Sequence, residues 1–399
     1  MKIAVVTDTY PPDVNGVSFT LERLTDGLER RGNEVKIFRP QPAPNDQGLN
    51  TSGPPQHILR SLPVPGYPAL RMGWPSYFKL KKRWETWRPD AAYVATEGLL
   101  GFAAVQLARN LNIAVGSGYH TNFCDYLPSY GGGCLVGVAG GLQRWLHNRC
   151  AFTAAPSRDT VSQLRNQGYE RVMLVRRGVD SVRFSPAKYN PALRQSWGAE
   201  PGALVVLLVG RVAAEKNLPL ALEAVEQLRE AFPHVMPVVV GDGLVLEACK
   251  ARYPFVHFAG EQRGESLAEH YASGDLLLFP SLTETFGNVL LEAMASGLPT
   301  LSFDCASARE HIIDGENGWT VPYGQSQAFV GKIRDLLQTS PFLLDSIGSA
   351  ARRSTLELTW DSIIGRFENL LEAAHYGLCQ QPTDSSSPSL ISSSTRHPT

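Results

Sequence analysis

Short apolar runs alternate with amphipathic stretches along the first half of the chain. The predicted elements of this half are strands at 2–7, 34–38, 91–95 and 113–118 and helices at 18–31 and 98–110. Residues 41–69 are rich in proline, glycine and serine and are predicted to be mostly loop. Strands that alternate with helices in this way favour right-handed βαβ units and a parallel sheet.

A second series of the same kind begins near residue 200. Residues 203–209 are almost entirely aliphatic, which is typical of a central parallel strand covered on both faces. The other predicted elements are helices at 218–231 and 244–252 and strands at 236–240, 256–258, 276–279 and 300–302. We therefore expect an α/β fold of two doubly wound, Rossmann-like domains, with ligands bound at the carboxyl ends of the strands.

The length of 399 residues suits two domains with separate cores. We expect an N-terminal domain over residues 1–185 and a C-terminal domain over residues 190–350. A final helix near residues 356–376 is expected to complete the first domain. The serine-rich tail, residues 380–399, offers too little apolar surface to order itself and is predicted to be disordered.

Composition narrows the classes of protein to consider. The chain is 43% hydrophobic and 19% charged with a formal net charge of −1, so no overall field favours nucleic acid, and we expect no nucleic-acid partner. No apolar window approaches the roughly 20 residues of a membrane-spanning helix, and the first ten residues are too polar for a signal peptide. Six cysteines without a CxxC pair indicate free thiols, so we expect a cytoplasmic location.

Residues 279–299 carry the richest pattern of glycine and charge. A buried strand is predicted to end near the start of this segment, and a helix is predicted to begin near Gly287 and Asn288. Unpaired amides and the helix dipole make such a helix start suitable for a phosphate group. Glu284 and Glu292 could then bind hydroxyls of a ribose or hexose. Taken alone, Glu284 is more readily explained as a helix-cap partner and Glu292 as a solvent-facing helix residue, and it is the whole segment that favours a site.

Two cations follow the aliphatic strand of the second series. The segment 210–217 reads GRVAAEKN and contains Arg211 and Lys216. At the carboxyl end of a strand, these side chains could neutralise a pyrophosphate leaving group. The alternative is an ordinary surface loop with solvated charges.

These two segments resemble the signature of the retaining glycosyltransferases of family 4, or glycosyl transferases group 1, which have the GT-B fold. The resemblance covers about residues 1–325, with further matches at 176–180 (RRGVD) and 239–243 (VVGDG). It is greatest to bacterial mannosyl- and glucosyltransferases, and it implies two domains that face each other across a cleft. The donor-binding residues that it implies in the second domain are Arg211, Lys216, Glu284, Phe286, Gly287, Asn288, Val289 and Glu292.

The first domain contributes two further positions to this resemblance. Gly16, in the loop 8–18, would allow the backbone to approach a donor phosphate, although an ordinary strand-to-helix turn explains it equally well. His120, in the segment 117–131, matches the histidine of the family that contacts the donor sugar. The residues to which the resemblance assigns catalysis are His120, Arg211, Lys216 and Glu284.

The activity implied by the resemblance is transfer of a hexose, with retention, from a nucleoside diphosphate sugar to a hydroxyl of a lipid or glycan. The donor would be of the GDP-mannose or UDP-glucose type. No cofactor beyond this co-substrate is expected and, without a D-x-D triad, no metal. Two alternatives stay open: another GT-B enzyme, such as a sugar-nucleotide epimerase or a phosphorylase, and a non-catalytic sugar-nucleotide sensor. A zinc tetrad of His120, Cys124, His147 and Cys150 is a weaker alternative.

Residues 71–88 combine six basic and five aromatic side chains. Tyr77, Leu80, Trp84 and Trp87 fall on one face of a predicted helix, and basic residues flank that face. We favour an amphipathic helix whose aromatic face packs on the sheet. The alternative is a helix that lies on an anionic membrane surface and brings the protein to the inner face of the membrane.

Overall fold

Two parallel β-sheets flanked by helices form the framework of the protein. The computed structural model describes residues 1–13, 15–41, 53–64, 67–120, 136–282 and 287–378, and within these ranges seven strands form the first sheet and six the second. The predicted α/β class with two Rossmann-like domains is confirmed. The prediction of a disordered tail concerns residues outside these ranges.

The first sheet is formed by strands from the first half of the chain. The strands of this half are β1 (Lys2–Val6), β2 (Glu34–Pro40), β3 (Gln56–Leu59), β4 (Ser61–Val64), β5 (Tyr67–Gly73), β6 (Ala91–Val94), β7 (Ala114–Gly118), β8 (Phe152–Ala155) and β9 (Val172–Leu174). The sheet order is β3-β2-β1-β6-β7-β8-β9, with all neighbours parallel, and β4 and β5 form a separate antiparallel hairpin. The helices are α1 (Gly16–Arg30), α2 (Tyr77–Trp87), α3 (Leu99–Asn110), α4 (Val136–His147) and α5 (Arg158–Asn166).

The second sheet repeats this architecture. Its strands are β10 (Leu204–Val209), β11 (Val235–Val240), β12 (His257–Gly260), β13 (Leu276–Phe279), β14 (Thr300–Phe303) and β15 (Trp319–Val321), in the order β12-β11-β10-β13-β14-β15, all parallel. The helices of this half are α6 (Pro191–Ser196), α7 (Leu218–Leu228), α8 (Leu246–Arg252), α9 (Gly264–Ala272), α10 (Asn288–Ala295), α11 (Ala306–His311), α12 (Ser326–Leu337), α13 (Pro341–Thr355) and α14 (Trp360–His375). The aliphatic strand β10 lies inside the sheet between β11 and β13, as its composition predicted.

The prediction of loop over residues 41–69 is wrong for its second part. Strand β3 extends the first sheet beyond β2, and the hairpin of β4 and β5 follows directly. The prolines and glycines of this segment separate short strands instead of excluding them, because proline is tolerated at sheet edges and in hairpins. Residues 42–52 lie outside the described ranges.

The last helix packs on the first sheet although it follows the second in the chain. In α14, Ile364, Phe367 and Leu371 are buried in the same cluster as residues of β1 and α1. The ring of Phe367 lies 4.7 Å, centroid to centroid, from that of Tyr93 in β6. Gly27 of α1 permits this approach, because a Cβ atom there would overlap Ile364. This packing supports the predicted domain boundaries, which remain a prediction.

Helix α2 packs on the first sheet, which confirms the favoured interpretation of residues 71–88. Leu80 and Trp84 are fully buried, and the ring of Trp84 meets that of Phe38 edge-on at 6.0 Å. The opposite face remains open, with Phe78 84% exposed. None of the helices in the described ranges combines the length and the hydrophobicity that crossing a bilayer requires.

Candidate functional site

Helix α10 begins at the carboxyl edge of the second sheet. Because β10 and β13 are parallel neighbours, the loops that follow them leave the sheet side by side. Gly287 has a φ of 88°, in the left-handed region that favours glycine, and α10 starts at the next residue, Asn288. The predicted site residues Glu284 and Phe286 lie outside the described residues.

Two contacts hold the start of α10 in place. The hydroxyl of Ser307, in α11, donates a hydrogen bond of 3.2 Å to the carbonyl of Gly287. Val289 is partly buried against the hydrophobic cluster of the second sheet. The first turn of this helix is therefore anchored on two sides. Its free amides and the positive end of its dipole are held in one orientation, in which they can bind an anion.

The loop 210–217 places its two cations beside this helix start. The amide of Leu282 donates to the carbonyl of Glu215 at 3.1 Å, which joins the loop after β13 to the loop after β10. Lys216 Nζ lies 5.8 Å from the ring centroid of Phe279, the last residue of β13. Arg211 is 67% exposed and pairs with Glu215 at 2.9 Å. Since an exposed pair contributes only about 0–1 kcal/mol, Arg211 can exchange Glu215 for an anion at little cost.

A third loop supports the loop of Arg211 from behind. The amide of Val212 donates a hydrogen bond of 2.9 Å to the carbonyl of Asp242, and the amide of Gly210 donates one of 3.0 Å to the carbonyl of Val240. Gly241 has a φ of 148°, and a Cβ atom on it would overlap the carbonyl oxygen of Gly210. The glycine is thus required where the two loops cross, and the segment 239–243 supports the site through its backbone.

Glu292 lies in α10 next to α9 and faces the first domain. Tyr271 donates a hydrogen bond of 2.9 Å to its Oε2 atom. Burial raises the pKa of Glu292 to about 7, and the Tyr271 hydrogen bond and the charge of Arg183 offset this only in part. The crevice around Glu292 is also lined by Asn288 and by Phe19 of α1. A ligand in this crevice would therefore contact both domains.

A side chain caps the start of α1. Asn15 precedes the helix, and its Oδ1 atom accepts hydrogen bonds from the amides of Val17 at 3.1 Å and Ser18 at 2.9 Å. Gly16, the residue predicted to approach a donor phosphate, is exposed beside this cap. A Cβ atom on Gly16 would lie 3.3 Å from Nη1 of Arg177.

Arg177 joins the starts of α1 and α10 and was not predicted as a site residue. It is only 6% exposed, and its Nη1 atom donates a hydrogen bond of 3.2 Å to Oδ1 of Asn288. Its one signal in the sequence is its place in the RRGVD segment. The sequence pattern did not distinguish it from the neighbouring Arg176, which forms an ion pair with Glu310 instead.

His120 follows β7 and lies close to Arg177 in a second crevice, which is lined by residues of the first domain and by Trp360 of α14. Its Nε2 atom is 2.9 Å from the hydroxyl of Tyr93, and its buried Nδ1 atom has no hydrogen-bond partner in the described part of the chain. Burial, and after it the charge of Arg177, lowers the pKa of His120 to about 3. The imidazole is therefore neutral at pH 7, which suits a hydrogen bond to a hydroxyl and not proton abstraction.

Two of the four residues of the alternative zinc tetrad are engaged elsewhere. His147 uses both ring nitrogens, with Ser117 Oγ at 2.8 Å from Nδ1 and Glu97 Oε1 at 3.1 Å from Nε2. Burial raises the pKa of Cys150 to about 12, which keeps the thiol protonated, whereas zinc binds thiolate. Cys124 lies outside the described residues. These contacts give no support to a zinc site.

Ion pairs connect the two domains beside the site. Glu310 of α11 is nearly buried, and it accepts hydrogen bonds from Arg176 Nε at 2.8 Å and from the amide of Arg158 at 3.1 Å. Arg309 pairs with Asp159 of α5 at 2.8 Å. Both pairs join α11 of the second domain to the first domain.

Comparisons with known proteins match both halves of the chain to sugar-transferring families. Residues 14–183 match the family described as Glycosyltransferase Family 4, and residues 203–339 match the family described as Glycosyl transferases group 1. The two matched ranges contain most of the first and second sheets, respectively.

Individual relatives extend over nearly the whole chain. A GDP-mannose-dependent alpha-mannosyltransferase of Mycobacterium tuberculosis (strain CDC 1551 / Oshkosh) is 31% identical over 376 residues, which are 92% of this chain and 96% of that protein. An alpha-monoglucosyldiacylglycerol synthase of Streptococcus pneumoniae is 28% identical, over 86% of this chain and 79% of that protein. The solved structure of a sucrose-phosphate synthase from Thermosynechococcus elongatus aligns with a TM-score of 0.79 at 19% identity, over 94% of this chain and 99% of that chain. This likeness of fold confirms the predicted GT-B architecture.

Proposed function

The chain belongs to glycosyltransferase family 4, and we propose that it transfers mannose from GDP-mannose, with retention, to an acceptor hydroxyl. The observation that carries this proposal is the 31% identity to a GDP-mannose-dependent alpha-mannosyltransferase over 92% of the chain. Because the similarity spans both domains, it includes the residues on each side of the cleft. The loops that meet at the carboxyl edge of the second sheet support the donor half of the proposal.

The donor diphosphate would bind between the loop 210–217 and the start of α10. Arg211 and Lys216 would stabilise the negative charge that develops on the leaving diphosphate. The amides of Gly287 and Asn288 would add hydrogen bonds that need no rearrangement, because Ser307 already anchors this turn. The charge would thus be neutralised by groups on one rigid sheet edge.

The two ends of the donor would be held by different residues. Glu292 would accept hydrogen bonds from the ribose hydroxyls, while Glu284 and His120 would position the transferred mannose. A neutral His120 is a poor base, so it would not take the proton of the acceptor hydroxyl. As the bond between C1 of the mannose and the β-phosphate oxygen breaks, the acceptor oxygen would bond to C1 on the same face, which preserves the anomeric configuration. An oxygen of the departing phosphate would take the proton of the acceptor hydroxyl.

We propose a lipid as the acceptor, reached through the open face of α2. The name of the Streptococcus pneumoniae relative specifies a diacylglycerol product. In this chain, Trp74 and Phe78 are 48% and 84% exposed, and the neighbouring Lys79, Lys82 and Arg83 are exposed as well. We call these five residues the α2 surface. Exposed aromatic rings among basic side chains suit a membrane that contains anionic lipid.

The donor is tested by thermal unfolding and by transfer. GDP and GDP-mannose at millimolar concentration should raise Tm, while UDP-glucose and ADP-glucose should not. Radiolabelled mannose should then pass from GDP-mannose to vesicles that contain diacylglycerol. The double variant Arg211→Gln, Lys216→Gln should fold normally and lose transfer. A rise in Tm with UDP-glucose alone would show that the donor is UDP-glucose and not GDP-mannose. No change in Tm with any of these nucleotides would contradict the proposal as a whole.

A further inference from the structure

We propose that Arg177 binds the β-phosphate of the donor, the phosphate that carries the transferred sugar. This inference rests on the proposed function, because it concerns the same cleft. It adds a cation from the end of the first domain, whereas Arg211 and Lys216 come from the second domain.

The first support is the position of the guanidinium between two helix starts. Gly16 and Asn288 are the first residues of α1 and α10, and Arg177 lies beside both. Its Nη1 atom is 3.2 Å from Oδ1 of Asn288 and 3.3 Å from the position of a Cβ atom on Gly16. The positive ends of two helix dipoles and one full positive charge therefore converge at one point of the cleft, which suits a phosphate group.

The second support is the kind of partner that Arg177 has on α10. The side-chain amide of Asn288 is neutral, and its oxygen accepts a hydrogen bond from Arg177, a residue that is only 6% exposed. A phosphate oxygen is a stronger acceptor for arginine, because the hydrogen bond is then charged on both sides. An oxygen of an arriving diphosphate would therefore compete with Asn288 for the Nη1 atom of Arg177.

The third support identifies which phosphate is bound. The crevice of Glu292, assigned to the ribose, is lined by Asn288, and the crevice of His120, assigned to the sugar, is lined by Arg177. The hydrogen bond between Arg177 and Asn288 joins the two crevices. In a nucleoside diphosphate sugar, the β-phosphate is the one next to the sugar. Arg177 lies on the side of His120, so it should bind the β-phosphate and not the α-phosphate.

The test compares two nucleotides that differ only in the β-phosphate. Dissociation constants for GDP and GMP are measured by isothermal titration calorimetry for the wild type, Arg177→Gln and Arg177→Lys. Loss of one charge-assisted hydrogen bond should weaken GDP binding by about 10- to 100-fold in Arg177→Gln and leave GMP binding unchanged. Arg177→Lys keeps the positive charge but loses the forked guanidinium, so its affinity for GDP should lie between those of the wild type and Arg177→Gln.

Arg334 is an exposed cation on α12, and Arg334→Gln serves as the matched control. This variant should bind GDP and GMP like the wild type. Unchanged GDP binding in Arg177→Gln, or an equal loss for GDP and GMP, would overturn the inference. If Arg177→Gln fails to fold by thermal unfolding, Arg177→Lys decides by the same comparison. If the wild type binds UDP and not GDP, the proposed donor is wrong and the UDP and UMP pair tests Arg177. If it binds no nucleoside diphosphate, both proposals are wrong.

Discussion

The hydroxyl of Tyr271 donates a hydrogen bond of 2.9 Å to Oε2 of Glu292, so a fully buried tyrosine of α9 holds the carboxylate that we assign to the donor ribose. The ring of Phe184 meets that of Tyr271 edge-on, with 5.7 Å between centroids. Because the tyrosine ring is packed on all sides, the carboxylate is oriented before a donor binds. Such preorganisation is what a binding site requires of the residues behind it.

Tyr271→Phe should weaken donor binding without removing any group that touches the donor. The hydrogen bond from Tyr271 lowers the pKa of Glu292, so its loss should raise that pKa above about 7. At pH 7 we expect about tenfold weaker binding of GDP-mannose, the usual effect of one hydrogen bond. Calorimetric titrations at several pH values check this, with Tyr253→Phe, a buried tyrosine of the second domain away from the cleft, as the control. An unchanged pH profile would contradict a positioning role for Tyr271.

Donor binding should strengthen as the pH rises through 7. Below that pH, Glu292 is largely protonated in the free protein and has lost one acceptor for the ribose hydroxyls, so the dissociation constant of GDP-mannose should rise by up to about tenfold per pH unit. GDP-mannose is the ligand to use, because its diphosphate does not titrate in this range. Glu292→Gln should flatten the profile. A profile of the same slope in this variant would assign the titration to another group.

The contribution of Glu292 to the stability of the free protein has the opposite sign. Its folded pKa, about 7, lies above the value of 4.5 that an unperturbed glutamate has in the unfolded chain, so the folded state binds the proton more tightly than the unfolded state. This contribution is fully present below about pH 4.5 and is lost as the pH rises through 7. Urea unfolding of the wild type and Glu292→Gln between pH 5 and about 8 should therefore show a difference that grows in favour of the variant.

Gly27→Ala should destabilise the packing of α1 on α14. The added Cβ atom would overlap Ile364, and overpacking of this kind costs about 1–3 kcal/mol. Ile364→Ala has its own cost from the lost buried side chain, but in that background Gly27→Ala should cost less than in the wild type, since the smaller side chain leaves room for the methyl group. Gly331→Ala in α12 is the control, because a Cβ atom there meets nothing within 4 Å. Denaturant unfolding measures the wild type, the two single variants, the double variant and the control. A Gly27→Ala variant as stable as the wild type would contradict the close packing of α1 on α14.

The α2 surface should bind anionic vesicles. Trp74→Ala with Phe78→Ala should reduce sedimentation with vesicles of phosphatidylcholine and phosphatidylglycerol, because the apolar anchors are removed. Added salt should weaken the binding of the wild type, since the basic side chains act through screened charge. Phe342→Ala, which removes a ring that is 83% exposed on α13 of the second domain, is the matched control. Equal losses for both surfaces, or no binding by the wild type, would count against a membrane-facing α2.

Local sequence patterns predicted the elements of the site well where one strand or helix start carries the signal. The aliphatic run of β10 and the glycine before α10 both have a meaning that depends on a few neighbouring residues. The secondary structure of the segment 41–69 was harder to predict, because proline and glycine are compatible with loops and with short edge strands. In that segment the pairing of β3 with β2 decided the outcome, and pairing is a tertiary interaction.

The sequence by itself determined the α/β class and the division of the strands into two series. It also determined which residues form the loop 210–217 and the start of α10. These features follow from periodicity and local backbone preference, which act over a few residues. Only the tertiary structure decided that Arg177 meets Asn288, 111 residues away, and that Tyr271 holds Glu292. An arginine or a tyrosine has many possible partners along a chain. Which of them it meets is set by how whole sheets and helices pack, because that packing brings distant segments to the same cleft.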